Sequence, residues 1–205
     1  MTSVYTTSIA DCWLDLTFIV DSSGSINQND DTNWDKSLQF VADVIREFTI
    51  GPNDVQVAFV LFGDEATVEW DFTAEQDKDK LIQDILAMRY LREYTNLNDA
   101  LYLTRTKVYA PGGGVRERSV KATVILTDGI DNQPERGTPL TIQNATLCKE
   151  DDIWLIAVGV TDRVNVTRLH EIISSPSDYY PVDDFDALPT IVEDLKSKIC
   201  PEISK

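Results

Sequence analysis

Apolar runs of strand length alternate with segments of helical periodicity along most of the chain. Most of these runs are almost continuously apolar, as expected for strands buried on both faces of a parallel sheet. The predicted strands are Leu14 to Asp21, Val55 to Phe62, Ala66 to Phe72, Val120 to Thr127, Ile153 to Val160 and Tyr179 to Val182. The alternation predicts an α/β domain with a mainly parallel sheet.

Between the strands, apolar residues recur three and four positions apart, which predicts amphipathic helices. Thr73 and Gln76 have the spacing of a capping box and predict the start of the second helix. The predicted helices cover Trp34 to Phe48, the segment after Thr73 to Leu86, Leu97 to Tyr109, Thr138 to Glu150, Val166 to Ile173 and Asp186 to Ile199. Only Gly63-Asp64-Glu65 joins the second and third strands, so the third is predicted to be an antiparallel edge strand.

The end of the first strand carries a group of small oxygen-bearing side chains. Asp21, Ser23 and Ser25 follow the apolar run at alternate positions, so their side chains can converge just beyond the strand. Carboxylate and hydroxyl oxygens are hard donors, which suit Mg²⁺ or Mn²⁺ better than zinc. By itself the motif is equally consistent with an ordinary turn.

Two distant segments favour the metal interpretation. Thr95 lies in a predicted loop before a helix, and Asp128 ends another apolar strand. In open parallel sheets, ligands bind outside the carboxyl ends of the strands. We therefore expect Asp21 and Asp128 to meet there, with Thr95 approaching from a neighbouring loop.

Together these segments resemble the metal-ion-dependent adhesion site of the von Willebrand factor A domain family, which includes integrin inserted domains. The resemblance extends from about Cys12 to Cys200, with the motifs in the family's order. It implies a doubly wound, Rossmann-like fold: a six-stranded, mainly parallel sheet with one antiparallel edge strand, strand order 3-2-1-4-5-6, and helices on both faces. One departure is visible, because Leu97 and Asn98 replace the second threonine and the glycine common after the ligand threonine.

The resemblance also implies the roles of the site residues. Ser23, Ser25 and Thr95 supply hydroxyl ligands to Mg²⁺ (or Mn²⁺), and Asp21 and Asp128 bind directly or through water. An open coordination position then accepts an acidic residue from a protein partner, for which collagen is the first candidate.

Composition narrows the choice of partners. The chain has 205 residues, enough for one domain, and a formal net charge of −17. Such a surface repels phosphate backbones and anionic membranes. Arg89, Arg92, Arg116, Arg118 and Lys121 are the basic residues expected near the site, although a scattered solvated surface is the favoured explanation for them. No apolar segment reaches the length of a membrane span.

Cysteines and glycosylation triplets give information about the cellular location of the protein. Three cysteines by themselves fix no pairing. In the family that the chain resembles, the two ends of the domain lie close together, which implies a Cys12–Cys200 disulfide and leaves Cys148 as a buried thiol. Asn144 and Asn165 begin glycosylation triplets and favour an extracellular location.

Enzymatic activity finds little support in the motifs. His170 is the only histidine, and the serines do not form a nucleophile elbow. An aspartate at a strand end also fits a metal-dependent phosphatase of the haloacid-dehalogenase type. Those enzymes have a second acid two residues later, where this chain has Ser23.

We therefore predict a non-catalytic adhesion or matrix-assembly module, secreted or on the ectodomain of a surface protein, with possible sister domains. Residues 1–11 are predicted to be an extension, 12–200 the domain and 201–205 a tail. The alternative is a structural spacer in a tandem matrix protein whose metal site binds no ligand. A metal-dependent phosphatase is the less favoured third hypothesis.

Overall fold

A computed structural model of the chain describes residues 12–129 and 138–200. Its strands are β1 (Leu14–Asp21), β2 (Val55–Phe62), β3 (Ala66–Trp70), β4 (Val120–Thr127), β5 (Ile153–Val160) and β6 (Tyr179–Val182). Its helices are α1 (Asn33–Arg46), α2 (Lys78–Leu86), α3 (Leu97–Leu103), α4 (Thr138–Glu150), α5 (Val166–Ile172) and α6 (Val192–Ile199). The predicted extension and tail lie outside the described residues.

The strands form one six-stranded sheet in the order β3-β2-β1-β4-β5-β6. Every neighbouring pair is parallel except β2 and β3, which are antiparallel. This confirms the predicted fold and the edge position of β3. The central strand β1 is buried along its whole length because helices cover both faces of the sheet.

Alternate residues of the strands serve two separate apolar layers. Leu16, Phe18 and Val20 of β1 pack with α1, α2 and α6, whereas Ile19 packs with α3, α4 and α5. The period of two along a strand explains the division. Both layers hold the sheet rigid, so the loops at its carboxyl edge have a fixed foundation.

Three predicted helix boundaries were wrong. Gln76 caps no helix, because its side chain bonds the backbone N–H and carbonyl of Val57; Asp77 caps α2 instead. The segment predicted as one closing helix begins as a 3₁₀ helix, Phe185–Ile191, which contains Pro189 and continues into α6. The side chain of Asp184 caps this 3₁₀ helix by accepting from the N–H of Ala187.

The third difference lies after α3, where the predicted helix to Tyr109 changes into a π-helical turn, Thr104–Val108. The Tyr109 hydroxyl donates to the Ala122 carbonyl over 2.6 Å and also contacts the Asp15 carbonyl. A regular helix would present Tyr109 at a different angle. α4 covers the predicted range, Thr138–Glu150, although the Thr138 side chain lies outside what the structure describes.

Candidate metal centre

The turn after β1 is organised around the Asp21 carboxylate. The backbone N–H of Ser23 donates to Asp21 Oδ1 over 2.9 Å, which bends the chain directly after the strand. Asp21 and Ser23 are both 1% exposed, so this turn is part of the core and not a solvated loop. The turn directs the following hydroxyls towards the neighbouring strand end.

Two serine hydroxyls connect the end of β1 to the end of β4. Ser23 Oγ and Ser25 Oγ lie 3.0 Å apart, and Ser25 Oγ donates to Asp128 Oδ1 over 2.7 Å. Four of the five predicted ligands, Asp21 among them, therefore form one connected group. Their oxygens come from two adjacent parallel strands, as the strand-end argument predicts.

Thr127 fixes Asp21 from the neighbouring strand and was not predicted. Its hydroxyl donates to Asp21 Oδ2 over 2.6 Å, while Oδ1 is held by Ser23. Both carboxylate oxygens are thus engaged. A threonine at the end of a strand, directly before a predicted ligand, was the available sequence signal.

Thr95, the fifth predicted ligand, follows a segment that runs alongside the Asp21 turn. The N–H of Gly24 donates to the Glu93 carbonyl over 2.8 Å, and the N–H of Arg92 donates to the Ser22 carbonyl over 3.0 Å. Thr95 itself is 3% exposed and lies just before the Asn96 cap of α3. Thr95 therefore lies in the loop that neighbours the Asp21 turn, directly after the segment that contacts it.

The asparagine at the family's glycine position has a structural partner. Asn98 Oδ1 accepts from Asn144 Nδ2 over 2.7 Å, which ties α3 to α4. One residue later, Asp99 Oδ2 accepts from the N–H of Ala66 in β3 over 2.8 Å. The residue that departs from the family pattern therefore provides a hydrogen bond between α3 and α4.

Tyr90 is a second residue that sequence reasoning missed. Its hydroxyl donates to the Ser23 carbonyl over 2.7 Å and accepts from the N–H of Asn27 over 3.1 Å. The ring stacks on Trp34 at 5.4 Å between centroids. Tyr90 therefore holds both ends of the serine turn against α1.

Burial disfavours the charged forms of both carboxylates, and the charge of Asp128 adds to this effect at Asp21. Burial, followed by the nearby Asp128 charge, raises the pKa of Asp21 from 3.8 to about 6. Burial also raises the pKa of Asp128, while the Ser25 hydroxyl and the Arg163 guanidinium act in the opposite direction. A cation bound beside such buried carboxylates would favour their charged forms.

Arg163 supplies a positive charge that was not predicted at this edge. Its Nη2 lies 2.7 Å from Asp128 Oδ2 and 3.3 Å from the Ser25 carbonyl. Two of the basic residues expected at this edge lie elsewhere. Arg116 forms an ion pair with Asp15 near the start of β1, and Lys121 of β4 lies opposite Asp15 in the sheet. Sequence separation hid the contact, because Arg163 lies on the loop after β5.

The donor set fits a hard cation. Within residues 12–129 and 138–200, no group of three or more histidine, cysteine or acidic side chains is placed to hold a metal. The predicted centre contains only two carboxylates, so it depends on the hydroxyls of Ser23, Ser25 and Thr95. Oxygen-only donors of this kind suit Mg²⁺ or Mn²⁺.

The remaining predicted sites lie away from this edge. A disulfide joins Cys12, before β1, to Cys200, after α6, and Cys148 is a buried free thiol.

The two asparagines of the glycosylation triplets differ in exposure. Asn165 is exposed and caps α5, whereas Asn144 is half-buried within α4. His170 lies on α5 with its ring edge-on to the ring of Tyr179. No helix in the described part of the chain is long and apolar enough to cross a membrane.

Comparison with known proteins identifies relatives of this fold. The model of the von Willebrand factor type A domain matches residues 15–194. The chain is 30% identical over 191 residues to the collagen alpha-1(XX) chain of Mus musculus, covering 92% of this chain and 14% of that protein. It is 29% identical over 195 residues to the transmembrane cell adhesion receptor mua-3 of Caenorhabditis elegans, covering 93% of this chain and 5% of the receptor. The chain thus spans a small part of these relatives.

A solved structure of proximal thread matrix protein 1 from the mussel byssus, with a zinc-occupied metal-ion-dependent adhesion site, superposes with a TM-score of 0.84. The two are 27% identical, and the match covers 94% of this chain and 47% of that one. The family match spans most of the domain, and the fold and strand order agree with it. This chain therefore belongs to the von Willebrand factor type A domain family.

Proposed function

We propose that this domain is a non-catalytic, extracellular adhesion or matrix-assembly module that binds a protein partner through a divalent cation. Asp21, Ser23, Ser25, Thr95 and Asp128 would hold Mg²⁺ or Mn²⁺. The ion would offer an open coordination position to a carboxylate of the partner. Collagen remains the first candidate partner.

The contact of Ser25 with both Ser23 and Asp128 carries this proposal. It connects hydroxyl and carboxylate oxygens from two strands over 3.0 and 2.7 Å. Isolated turns do not need such a connection, whereas a cation site requires several oxygens around one point. Relatives that include collagen chains and a cell adhesion receptor support an extracellular role.

The set of ligands favours binding over catalysis. Ser23 stands where a phosphatase of the type considered would need its second acid, and its hydroxyl lies against Ser25. Asp21 accepts hydrogen bonds at both oxygens, from Ser23 and Thr127. An aspartate so engaged is poorly placed to attack a phosphoester, whereas it can orient water or a cation.

A solid-phase binding assay on immobilised collagen tests the proposal. We expect wild-type protein to bind in Mg²⁺, to be released by EDTA, and to lose binding on Asp128→Ala. Asp79→Ala is the matched control, because it removes an exposed aspartate in the first turn of α2. Binding that persists in EDTA and in Asp128→Ala would favour the spacer alternative, and turnover of a generic phosphoester would contradict a non-catalytic role.

A further inference from the structure

Arg163 is the unusual element of the candidate metal centre. It lies on the loop between β5 and α5, yet its guanidinium reaches the end of β4. Nη2 donates to Asp128 Oδ2 over 2.7 Å and lies 3.3 Å from the Ser25 carbonyl. A fixed positive charge therefore contacts one predicted ligand and the backbone of another.

Several loops together hold this guanidinium in place. Nη1 donates to Gln28 Oε1 in the turn after β1, and Nε lies 3.5 Å from Thr161 Oγ1. Thr161 has φ 72°, in the left-handed region that β-branched residues rarely adopt. The strained residue starts the loop that directs Arg163 towards the site, so the contact is not that of a freely solvated side chain.

Burial makes the ion pair asymmetric. The Asp128 side chain is fully buried, whereas the Arg163 side chain is 33% exposed. Asp128 Oδ1 already accepts from Ser25, so Arg163 neutralises the other oxygen. Removal of the guanidinium would leave a buried carboxylate without its positive partner, and a divalent cation would then be more strongly attracted to it.

We propose that Arg163 is a tethered counter-cation that competes with the divalent ion for Asp128 and thereby sets the cation affinity of the site. The inference rests on the proposed metal site. A guanidinium and a divalent cation that both approach the same buried carboxylate repel each other and compete for it. The domain therefore binds its cation more weakly than its ligand set alone would allow.

Isothermal titration of Mg²⁺ and Mn²⁺ into metal-stripped protein tests this role without any partner. Arg163→Ala removes the charge, and Arg163→Gln removes the charge but keeps a hydrogen-bond donor. We expect both variants to bind the cation roughly tenfold more tightly than wild type, or better. Arg168→Ala, which removes an arginine on α5 paired with Glu171, should leave the affinity unchanged.

Thermal unfolding gives a second, independent result. In EDTA, Arg163→Ala should unfold at a lower temperature than wild type, because buried Asp128 has lost its partner. Added Mg²⁺ should raise the unfolding temperature of the variant more than that of wild type. A larger Mg²⁺-induced rise in the variant indicates that Arg163 competes with the cation. A smaller rise indicates that Arg163 helps to bind it.

Each outcome decides between the claims. Weaker cation binding by Arg163→Ala, with wild-type affinity retained in Arg163→Gln, would make Arg163 a positioning residue and overturn the inference. Equal cation affinity in wild type, Arg163→Ala and Arg163→Gln would overturn the inference. If Asp128→Ala still abolished cation binding, the proposed metal site would stand. Absence of cation binding in wild type and variants alike would overturn both.

Discussion

Substitution of Asp21 by asparagine should stabilise the metal-free protein while abolishing its response to the cation. Asp21 is 1% exposed, and burial together with the Asp128 charge raises its pKa from 3.8 to about 6. One pKa unit corresponds to about 1.4 kcal/mol. The ionised carboxylate therefore lowers the free energy of unfolding of the metal-free fold at neutral pH by about 3 kcal/mol.

The local geometry accepts the introduced amide. Its oxygen can take the bond from the Ser23 N–H, and its nitrogen can donate to Thr127 Oγ1, which can donate in turn to the Gly129 carbonyl 3.0 Å away. No buried polar atom is then left without a partner. The substitution consequently changes the charge without enlarging or emptying the site.

The stability that Asp21→Asn gains over metal-free wild type should increase with pH. The folded-state pKa of Asp21 lies above the unfolded value of 3.8, so the native state binds the extra proton between these values. The stability of metal-free wild type from this group is therefore highest below pH 4 and is lost as pH rises through about 6. The advantage of Asp21→Asn should be about 3 kcal/mol at pH 7.5 and about 1 kcal/mol at pH 4.5.

Urea denaturation in EDTA at the two pH values measures both effects, with Asp79→Asn as the exposed control. Saturating Mg²⁺ should then stabilise wild type but not Asp21→Asn. The argument that burial of this charge destabilises the metal-free fold would be refuted in two cases. Asp21→Asn could be less stable than wild type at pH 7.5, or its stability could differ from that of wild type by the same amount at both pH values.

Three further changes probe the frame of the site. Reduction of the Cys12–Cys200 disulfide, which spans 188 residues of sequence, should lower the free energy of unfolding by up to about 5 kcal/mol in urea. Tyr90→Phe removes the hydroxyl that bonds the Ser23 carbonyl, so we expect a loss of about 1 kcal/mol in stability and weaker Mg²⁺ binding by calorimetry. In secreted protein from eukaryotic cells, Asn165→Gln should remove one glycan by mass, whereas Asn144, half-buried and bonded to another helix, should carry none.

Matched controls make these outcomes decisive. The double variant Cys12→Ser, Cys200→Ser should show no response to reductant, and a response would assign the effect to another group. Tyr94→Phe alters an exposed tyrosine on the same loop and should leave stability and affinity unchanged. A glycan found on Asn144 would contradict its place in the interhelical contact.

The sheet could be predicted from the sequence because its strands are buried on both faces. Almost continuous apolar runs such as Val55–Phe62 and Ile153–Val160 leave little choice of boundary. The helix ends were harder, because they depend on tertiary partners. Gln76 has the spacing of a cap, but its amide is used by the edge of β2, and Asp77 takes the cap.

In the candidate metal centre, too, some residues could be predicted from the sequence pattern, whereas others depend on tertiary packing. Asp21, Ser23, Ser25 and Asp128 follow from strand ends that parallel pairing brings together. Tyr90 and Arg163 could not be predicted, because each reaches the site from a loop whose path is set by packing. The contact between Arg163 and Asp128 joins residues on the loops after β5 and β4, and no periodicity encodes it.

Anomalous diffraction from crystals grown with Mn²⁺ tests the central claim most directly. We predict one strong peak at the carboxyl edge of the sheet, about 2.1 Å from the hydroxyl oxygens of Ser23 and Ser25. Crystals of Asp128→Ala grown in the same way should lack it. Wild-type crystals at saturating Mn²⁺ with no peak between these serines and Asp128 would contradict the assignment of a cation site to this domain.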